Sequence, residues 1–533
     1  MSEKNLPARP NLEQYKKQAK ELLRDWRGGD ADALTRVERH VARGTVASLA
    51  GAQLVIAREH GFASWPKFAA EIETLRIARV VAETDDPVAA FLHAATVPKE
   101  DHDSGTVEEA EAILARYPHV KGANVYTAAV LADEAGVRRF LAEDAENATR
   151  AGGVLGWDAL TYLCFSRYLR GDAAKSDAFV KTARALLEAG ANANTCWWET
   201  IDLDTVPRQI PERAIYGAAG VAQHAGVTQL LLEFGADVND EETAYHVSEG
   251  YDNTVMEILL KSGRFNKQSL TTLLLRKGDW HDYDGLKMVL SYGADPNGME
   301  HWGSSGLHHA LKRDNWLPAI ELLLDYGGDV TLKNREGLSA ATIAAWRGRG
   351  DVLRMLEERG IDAKLEGVDR LIAACALADD ATISALTAEE PLLVTELVAE
   401  GGTLLAQFAG NGNVEGMKRL LALDVKADAL YKGDGYFEVA RNSTALHVAA
   451  WRGQPDVMKL LIQHGTDVNV RNGDGHTALH MAIRACVHAY WRRRRTPEWV
   501  EPLLKAGASL DGIEIPCGYE EADELLRQYS SRS

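Results

Sequence analysis

Cysteine is scarce in this chain, with five in 533 residues at Cys164, Cys196, Cys375, Cys486 and Cys517. They are odd in number, far apart and form no CxxC pair, which argues against a disulfide framework and a zinc ribbon. Long apolar runs are missing too. The longest, LIAACALA from Leu371 to Ala378, falls far short of the ~20 residues that a membrane-spanning helix needs. Positive charge is in deficit: 78 acidic residues face 59 basic ones, and the formal charge of −19 repels a polyanion. The expectation is therefore no nucleic-acid partner and no membrane. The opening MSEKNLPARPNLEQYKK has no apolar signal core, so a cytoplasmic protein with free thiols is expected. Catalytic signatures are equally thin. There is no GxSxG and no GxxxxGK; Gly303-Ser304-Ser305-Gly306 has the wrong spacing, and Gly410-Asn411-Gly412 does not follow a strand. The reading is a non-enzyme with no catalytic residue, no cofactor and no metal site.

What the chain does have is a period. TALHVAAWRGQPDVMKLLIQHGTDVN begins at Thr444, and TALHMAIR begins at Thr477, 33 residues later. SGLHHALKRDNW at Ser305 and SAATIAAWRGRGDV at Ser339 are 34 apart. The ends recur as well: LLEAGANAN at Leu186, LLEFGADVN at Leu231, VLSYGADPN at Val289, LLDYGGDV at Leu323 and LLKAGASL at Leu503. Each feature has a physical role. The threonine of TALH is placed to cap a first helix, Ala449 and Ala450 let a neighbour approach, and paired leucines give a second helix its buried face. Gly465 is placed to end that helix in a left-handed cap, and Gly473-Asp474-Gly475 then forms a turn.

A 33-residue period of this composition resembles the ankyrin repeat. Where that family's motif carries proline, this chain has alanine or glycine. The resemblance implies an all-α helix-pair solenoid with β-turn fingers, of about twelve partly degenerate units over residues 86–515. Residues 1–85 lack the period and read as a helical N-terminal cap domain, loosely similar to helical leaders of bacterial ankyrin arrays. Residues 516–533 read as a polar closing tail. Three units run long, with insertions at Arg167–Ala178, Thr195–Glu212 and Cys486–Thr496, where individuality is expected. The basic run Arg492–Arg495, flanked by Trp491 and Trp499, reads as a solvated loop or an intramolecular partner for acidic fingers.

In the family, first-helix residues after the alanine pair face the concave groove, and Trp and Arg dominate binding surfaces. Trp346-Arg347 and Trp451-Arg452 fill that place in two units. Trp197, Trp198 and Glu199 sit in the inserted finger, Trp302 lies on another finger, and His309 follows a motif histidine on the inner face. These nine residues form the expected binding set. His308, His447 and His480 occupy the motif slot and read as structural, as does His246 in Thr243-Ala244-Tyr245-His246. The expected function is recognition of a protein or peptide through an aromatic-rich groove. The alternative is a small-molecule or enzymatic site there, built from His, Trp and carboxylates; a closed pocket of ligand size with His246 or His309 near acidic oxygens would favour it.

Overall fold

The computed structural model describes residues 6–7, 9–41, 47–97, 106–171, 173–203, 206–488 and 494–530. The chain is 61% helical. Among the described residues its one sheet is an antiparallel pair, β1 (Cys196–Leu203) and β2 (Val206–Arg213). Two compact units are formed: residues 1–16, 59–313 and 321–328 in one, and 17–58, 314–320 and 329–533 in the other.

In the first unit, short first helices lie side by side in chain order: Val125–Val130, Ala159–Cys164, Ala214–Tyr216, Glu242–Val247, Lys267–Asp279 and Gly306–Lys312. The second helices Glu134–Glu143, Ser176–Glu188, Ala225–Glu233 and Thr254–Lys261 form a parallel layer behind them. Neither layer is stable alone, because each helix pair buries its leucines only against the next pair. In the second unit the same pairing recurs with Ala340–Trp346 and Gly350–Glu358, Gly401–Gly410 and Val414–Ala422, and Ala445–Trp451 and Pro455–Gln463. Three further helices, Gly367–Leu377, Asp380–Glu389 and Leu392–Ala399, intervene. The result is that Gly401–Gly410 also meets Ala340–Trp346. Residues 17–58 belong to this unit, where Arg27 Nη2 and the Leu49 amide both donate to the Glu514 carboxylate at 3.3 and 3.2 Å.

The motif residues act locally. The Thr444 and Thr477 hydroxyls cap their helices, and the Nδ1 of His447 accepts from the Thr444 amide at 3.1 Å and pairs with its hydroxyl at 2.9 Å. His447 Nε2 then ties down the His476 carbonyl of the next finger at 3.0 Å. Ser305 with His308 and Thr477 with His480 repeat the box. The asparagine that ends each GADVN segment clips successive fingers together. Asn194 Oδ1 accepts from the Asp237 amide at 2.7 Å, and Asn469 Oδ1 from the Ser509 amide at 2.7 Å. Gly465, at φ 81°, supplies the left-handed cap that its position required. All five cysteines are free thiols. No single described helix is long and apolar enough to cross a membrane, although the bent pair Leu392–Ala399 and Gly401–Gly410 matches one in length and composition.

Two predictions test this packing. Gly348 sits at φ 67°, and an added Cβ would lie 2.5 Å from the Phe408 ring. Gly348→Ala is expected to cost about 2–4 kcal/mol, combining left-handed strain with overpacking. Gly235→Ala, at φ 87° with open space around it, is expected to cost about 1 kcal/mol. Equal urea midpoints for the two would contradict the packing. Burial, aided by the nearby charges of His476 and Arg471, lowers the His480 pKa from 6.5 to about 4. The folded state therefore favours neutral His480, and its contribution is present above pH 6.5 and lost as pH falls towards 4, with a slope of at most about 1.4 kcal/mol per pH unit. His480→Asn, which keeps an acceptor for Thr477, is expected to flatten that acid dependence of the melting temperature.

Candidate functional site

The inserted finger is the β1–β2 hairpin, and strand alternation sorts its side chains. Trp197 pairs across the sheet with Glu212, and Glu199 with Ile210, so these four share one face. That face packs on the repeats. Trp197 stacks on Trp157 at 5.4 Å between ring centroids and meets the edge of Phe165 at 5.9 Å. Trp198, opposite Pro211 on the other face, is 56% exposed.

Behind the hairpin runs a chain of charged side chains along the inner helices. His246 is held by two carboxylates of its own helical stretch, with Nε2 3.1 Å from Glu242 Oε2 and Nδ1 3.2 Å from Glu249 Oε1. Arg276 Nη2 donates to Glu249 at 3.1 Å and its Nη1 to Asp279 at 2.8 Å. Asp279 Oδ1 in turn meets His309 Nε2 at 2.8 Å and accepts from Arg313 Nε at 2.7 Å. Aromatic rings cover this chain. The Arg276 guanidinium lies 3.9 Å over Tyr245, Tyr245 is parallel to Trp302 at 6.3 Å, and Trp302 Nε1 donates to Thr272 Oγ1 at 3.0 Å. Burial alone would lower the His246 pKa, but hydrogen bonds to Glu242 and Glu249 outweigh it and raise the value to about 9. The ring is thus an imidazolium at neutral pH, with no free lone pair for use as a base. Burial pushes Asp279 up, yet His309 and Arg313 more than reverse that and hold it well below the usual carboxylate range.

A second cluster lies in the other unit. Arg347, Asn411 and Arg452 each follow the end of a first helix, and all three reach one buried carboxylate. Arg347 donates to both Asp314 oxygens at 2.6 Å, Arg452 Nη2 donates at 2.9 Å and Asn411 Nδ2 at 3.1 Å. Asp314 itself takes φ 54°, in the place where later repeats have Gly348, Gly412 and Gly453. Aspartate tolerates this conformation better than most side chains. The Phe437 ring lies 5.2 Å from the Arg347 guanidinium and 4.5 Å from that of Arg452. With Gln407, Tyr431 and Asp434 these residues line a small cleft with room for about one water.

Comparison with known proteins identifies the scaffold. A family model for ankyrin repeats matches three times, over residues 275–366, 371–472 and 405–511. Residues 275–366 and 371–511 carry ankyrin repeats. The chain is 62% identical over 39 residues to protein phosphatase 1 regulatory subunit 12A of Mus musculus, which is 7% of this chain and 4% of that protein. The B-cell lymphoma 3 protein homolog of Mus musculus is 23% identical over 204 residues, 37% of each chain. The match therefore spans well under two thirds of either relative. Among solved structures, the human ASB11 ankyrin repeat domain aligns with 44% of this chain and 98% of its own, at 23% identity and a TM-score of 0.21.

The ankyrin fold places the expected binding residues unevenly. Trp198 is exposed, Glu199 and Trp302 are half-buried, and Trp346 is half-buried with its Nε1 on Asp369 Oδ1 at 2.6 Å. Trp197, His309, Arg347 and Trp451 are buried instead of lining an open trough. Trp451, only 3% exposed, donates Nε1 to the Phe437 carbonyl at 2.7 Å and carries Arg484 over its ring at 4.7 Å. Arg347 and Arg452 come together; Trp346 and Trp451 hydrogen-bond to different partners. His246, expected to fill the structural slot, does not cap its helix. Asp240 does, accepting from the Thr243 amide at 2.7 Å and its hydroxyl at 3.0 Å, so His246 is left to join the charged chain. Trp491, Arg492 and Arg493 of the basic run lie outside the described residues; Arg495 lies 4.4 Å from the Tyr519 ring centroid. Sequence reasoning missed Glu212, Asp240, Glu249, Arg276, Asp279 and Asp314. Nothing local marks them except acids and a base recurring near first-helix ends. Among the described residues no group of three or more His, Cys, Asp or Glu is arranged to hold a metal ion.

Asp314→Asn keeps the backbone preference but removes the countercharge of two largely buried guanidinium groups. It is expected to cost about 3–5 kcal/mol, the penalty of stranding a buried partner. Urea unfolding at pH 7 checks this, and a loss below 1 kcal/mol would show that Arg347 and Arg452 are balanced elsewhere.

Proposed function

We propose that this ankyrin-repeat protein is a non-enzymatic scaffold that binds a protein or peptide segment along its first-helix face. The observation that carries this reading is the row of charged and aromatic side chains from Glu242 to Arg313, held on consecutive rigid helices and joined by mutual hydrogen bonds. A preformed surface loses little conformational entropy on binding, so such a row suits recognition of an extended segment. The inserted hairpin adds an anchor. Trp198 presents a large apolar face to solvent, and exposed tryptophan is the side chain most enriched in binding hot spots. The half-buried Trp302 and the carboxylate of Glu199 extend the contact. Trp197 and His309 support this surface through packing and an ion pair, while in the other unit Trp346, Arg347, Trp451 and Arg452 are held by hydrogen bonds of their own. The ankyrin family and the name of one further relative, NF-kappa-B inhibitor cactus of Drosophila melanogaster, 45% identical over 42 residues, favour a protein partner.

Capture of partners by the full chain, quantified by mass spectrometry, tests the reading. Trp198→Ala is expected to leave the melting temperature unchanged, because the ring is exposed, and to reduce partner recovery about tenfold or more. Recovery unchanged by Trp198→Ala would remove the hairpin from the interface. No protein enriched over bare resin would overturn the scaffold reading altogether.

A further inference from the structure

In the unit that contains Asp314, the first-helix face is covered by a finger of the chain itself. The finger spanning 424–444 is eight residues longer than the one spanning 465–477, and its extra length folds back on the helix ends. The tip is a small hairpin of its own. Asp434 and Val439 exchange backbone hydrogen bonds at 2.8 and 2.9 Å, and Asp434 Oδ1 accepts from the Tyr436 and Phe437 amides at 3.0 and 3.3 Å. From this hairpin three groups reach the helices. The Phe437 ring lies against the Arg347 and Arg452 guanidinium groups, its carbonyl accepts from Trp451 Nε1 at 2.7 Å, and Glu438 accepts from Arg484 Nη2. His488 Nε2 stands 3.9 Å from the other Glu438 oxygen. Arg347, Trp451 and Arg452 belong to the set that the sequence marks for contact with a partner. Here a loop of the same chain touches them.

The seated tip shows what this floor accepts. Arg347 and Arg452 meet on Asp314, and Arg484 lies over the Trp451 ring, so the floor is basic although the chain carries a formal charge of −19. The finger supplies the facing acids, Glu438 on Arg484 and Asp434 close enough to Arg347 to stabilise its charge. The hold is incomplete. The cleft beside Phe437 keeps room for about one water, Phe437 is half-buried, and Tyr436 is 46% exposed. Glu438 takes φ 54°, a left-handed conformation that disfavours side chains other than Asn and Asp. Strain of this kind collects at segments that exchange between two arrangements. We propose that residues 436–438 are an intramolecular occupant of a second peptide site, and that a partner segment with an aromatic residue followed by an acidic one displaces them. The incoming ring replaces Phe437 against the two guanidinium groups, its carbonyl replaces that of Phe437 on Trp451, and the acid replaces Glu438 on Arg484. The tethered tip competes at an effective concentration of about millimolar, so a segment that lacks either group does not dislodge it.

This site lies in a different unit from Trp198, goes beyond the surface proposed above and is tested apart from it. The probe is acetyl-Asp-Gly-Tyr-Phe-Glu-Val-Ala-amide, the tip's own sequence, titrated calorimetrically into the full chain. Wild type is expected to bind it weakly, because the tethered copy competes. Phe437→Ala empties the floor and is expected to bind the peptide about tenfold more tightly. Glu438→Gln, at an exposed position, loosens the hold of Arg484 and is expected to shift affinity the same way by about two- to threefold, should the first variant fail to fold. Peptides with Ala for Phe, or Gln for Glu, are expected to bind Phe437→Ala about tenfold more weakly than the parent peptide. Affinity no higher in either variant than in wild type, or altered peptides that bind as tightly as the parent, overturns the proposal. Trp198→Ala is expected to leave peptide affinity unchanged; loss of binding there puts the peptide in the other unit and overturns it too. If no peptide binds while Trp198-dependent capture persists, this inference falls and the scaffold surface stands. Peptide binding released by Phe437→Ala without any captured protein keeps this site and sinks the Trp198 surface instead.

Discussion

Stacking of short first helices, one against the next, is the constraint from which the remaining features follow. A helix of six or seven residues is too short to be stable alone, so each gains its order from its neighbours. Close approach requires alanine and glycine on the contact faces, as at Ala449 and Ala450 or where Gly348 lies against Phe408. It also brings the residue after each helix close to its counterparts. Whatever stands there is partly withdrawn from water and must find a partner within the stack.

Two solutions to that requirement occur in this protein. Around Asp314 the charges are balanced internally, with two guanidinium groups and one amide converging on one carboxylate. Burying those ions is expensive, and the arrangement holds because every oxygen of Asp314 is engaged. Along Glu242 to Arg313 the charges alternate, acid with imidazolium, acid with guanidinium, so each ion stabilises the next. The alternation stops at the hairpin. There Glu212 has carboxylates for neighbours, and burial keeps it protonated at neutral pH.

Much of the architecture was legible in the sequence because it is written locally and repeated. The 33-residue offset, the threonine–histidine boxes at 444 and 477, the glycine that ends each second helix and the asparagine that clips adjacent fingers act within a few residues or one repeat. The motif histidines behave as that reading requires, apart from His246. Its helix is capped by Asp240, and that one exchange turned a structural slot into part of a charged chain.

The amino-acid order by itself determined a stack of helix pairs, its turns and the sites of its insertions, since periodicity and capping depend on near neighbours. It also marked Trp197 and Trp198 as special without separating them. Only the tertiary structure decided that one is buried against Trp157 and the other faces solvent, because alternation along β1 leaves open which face meets the repeats. Likewise, no local pattern announces that Arg452 reaches Asp314, 138 residues earlier. Three intervening helices bring Gly401–Gly410 against Ala340–Trp346, and that departure from the regular repeat carries distant helix ends to one point. Side-chain chemistry sets what a residue is able to do, whereas its partner is chosen by contacts that form only when the whole array has stacked.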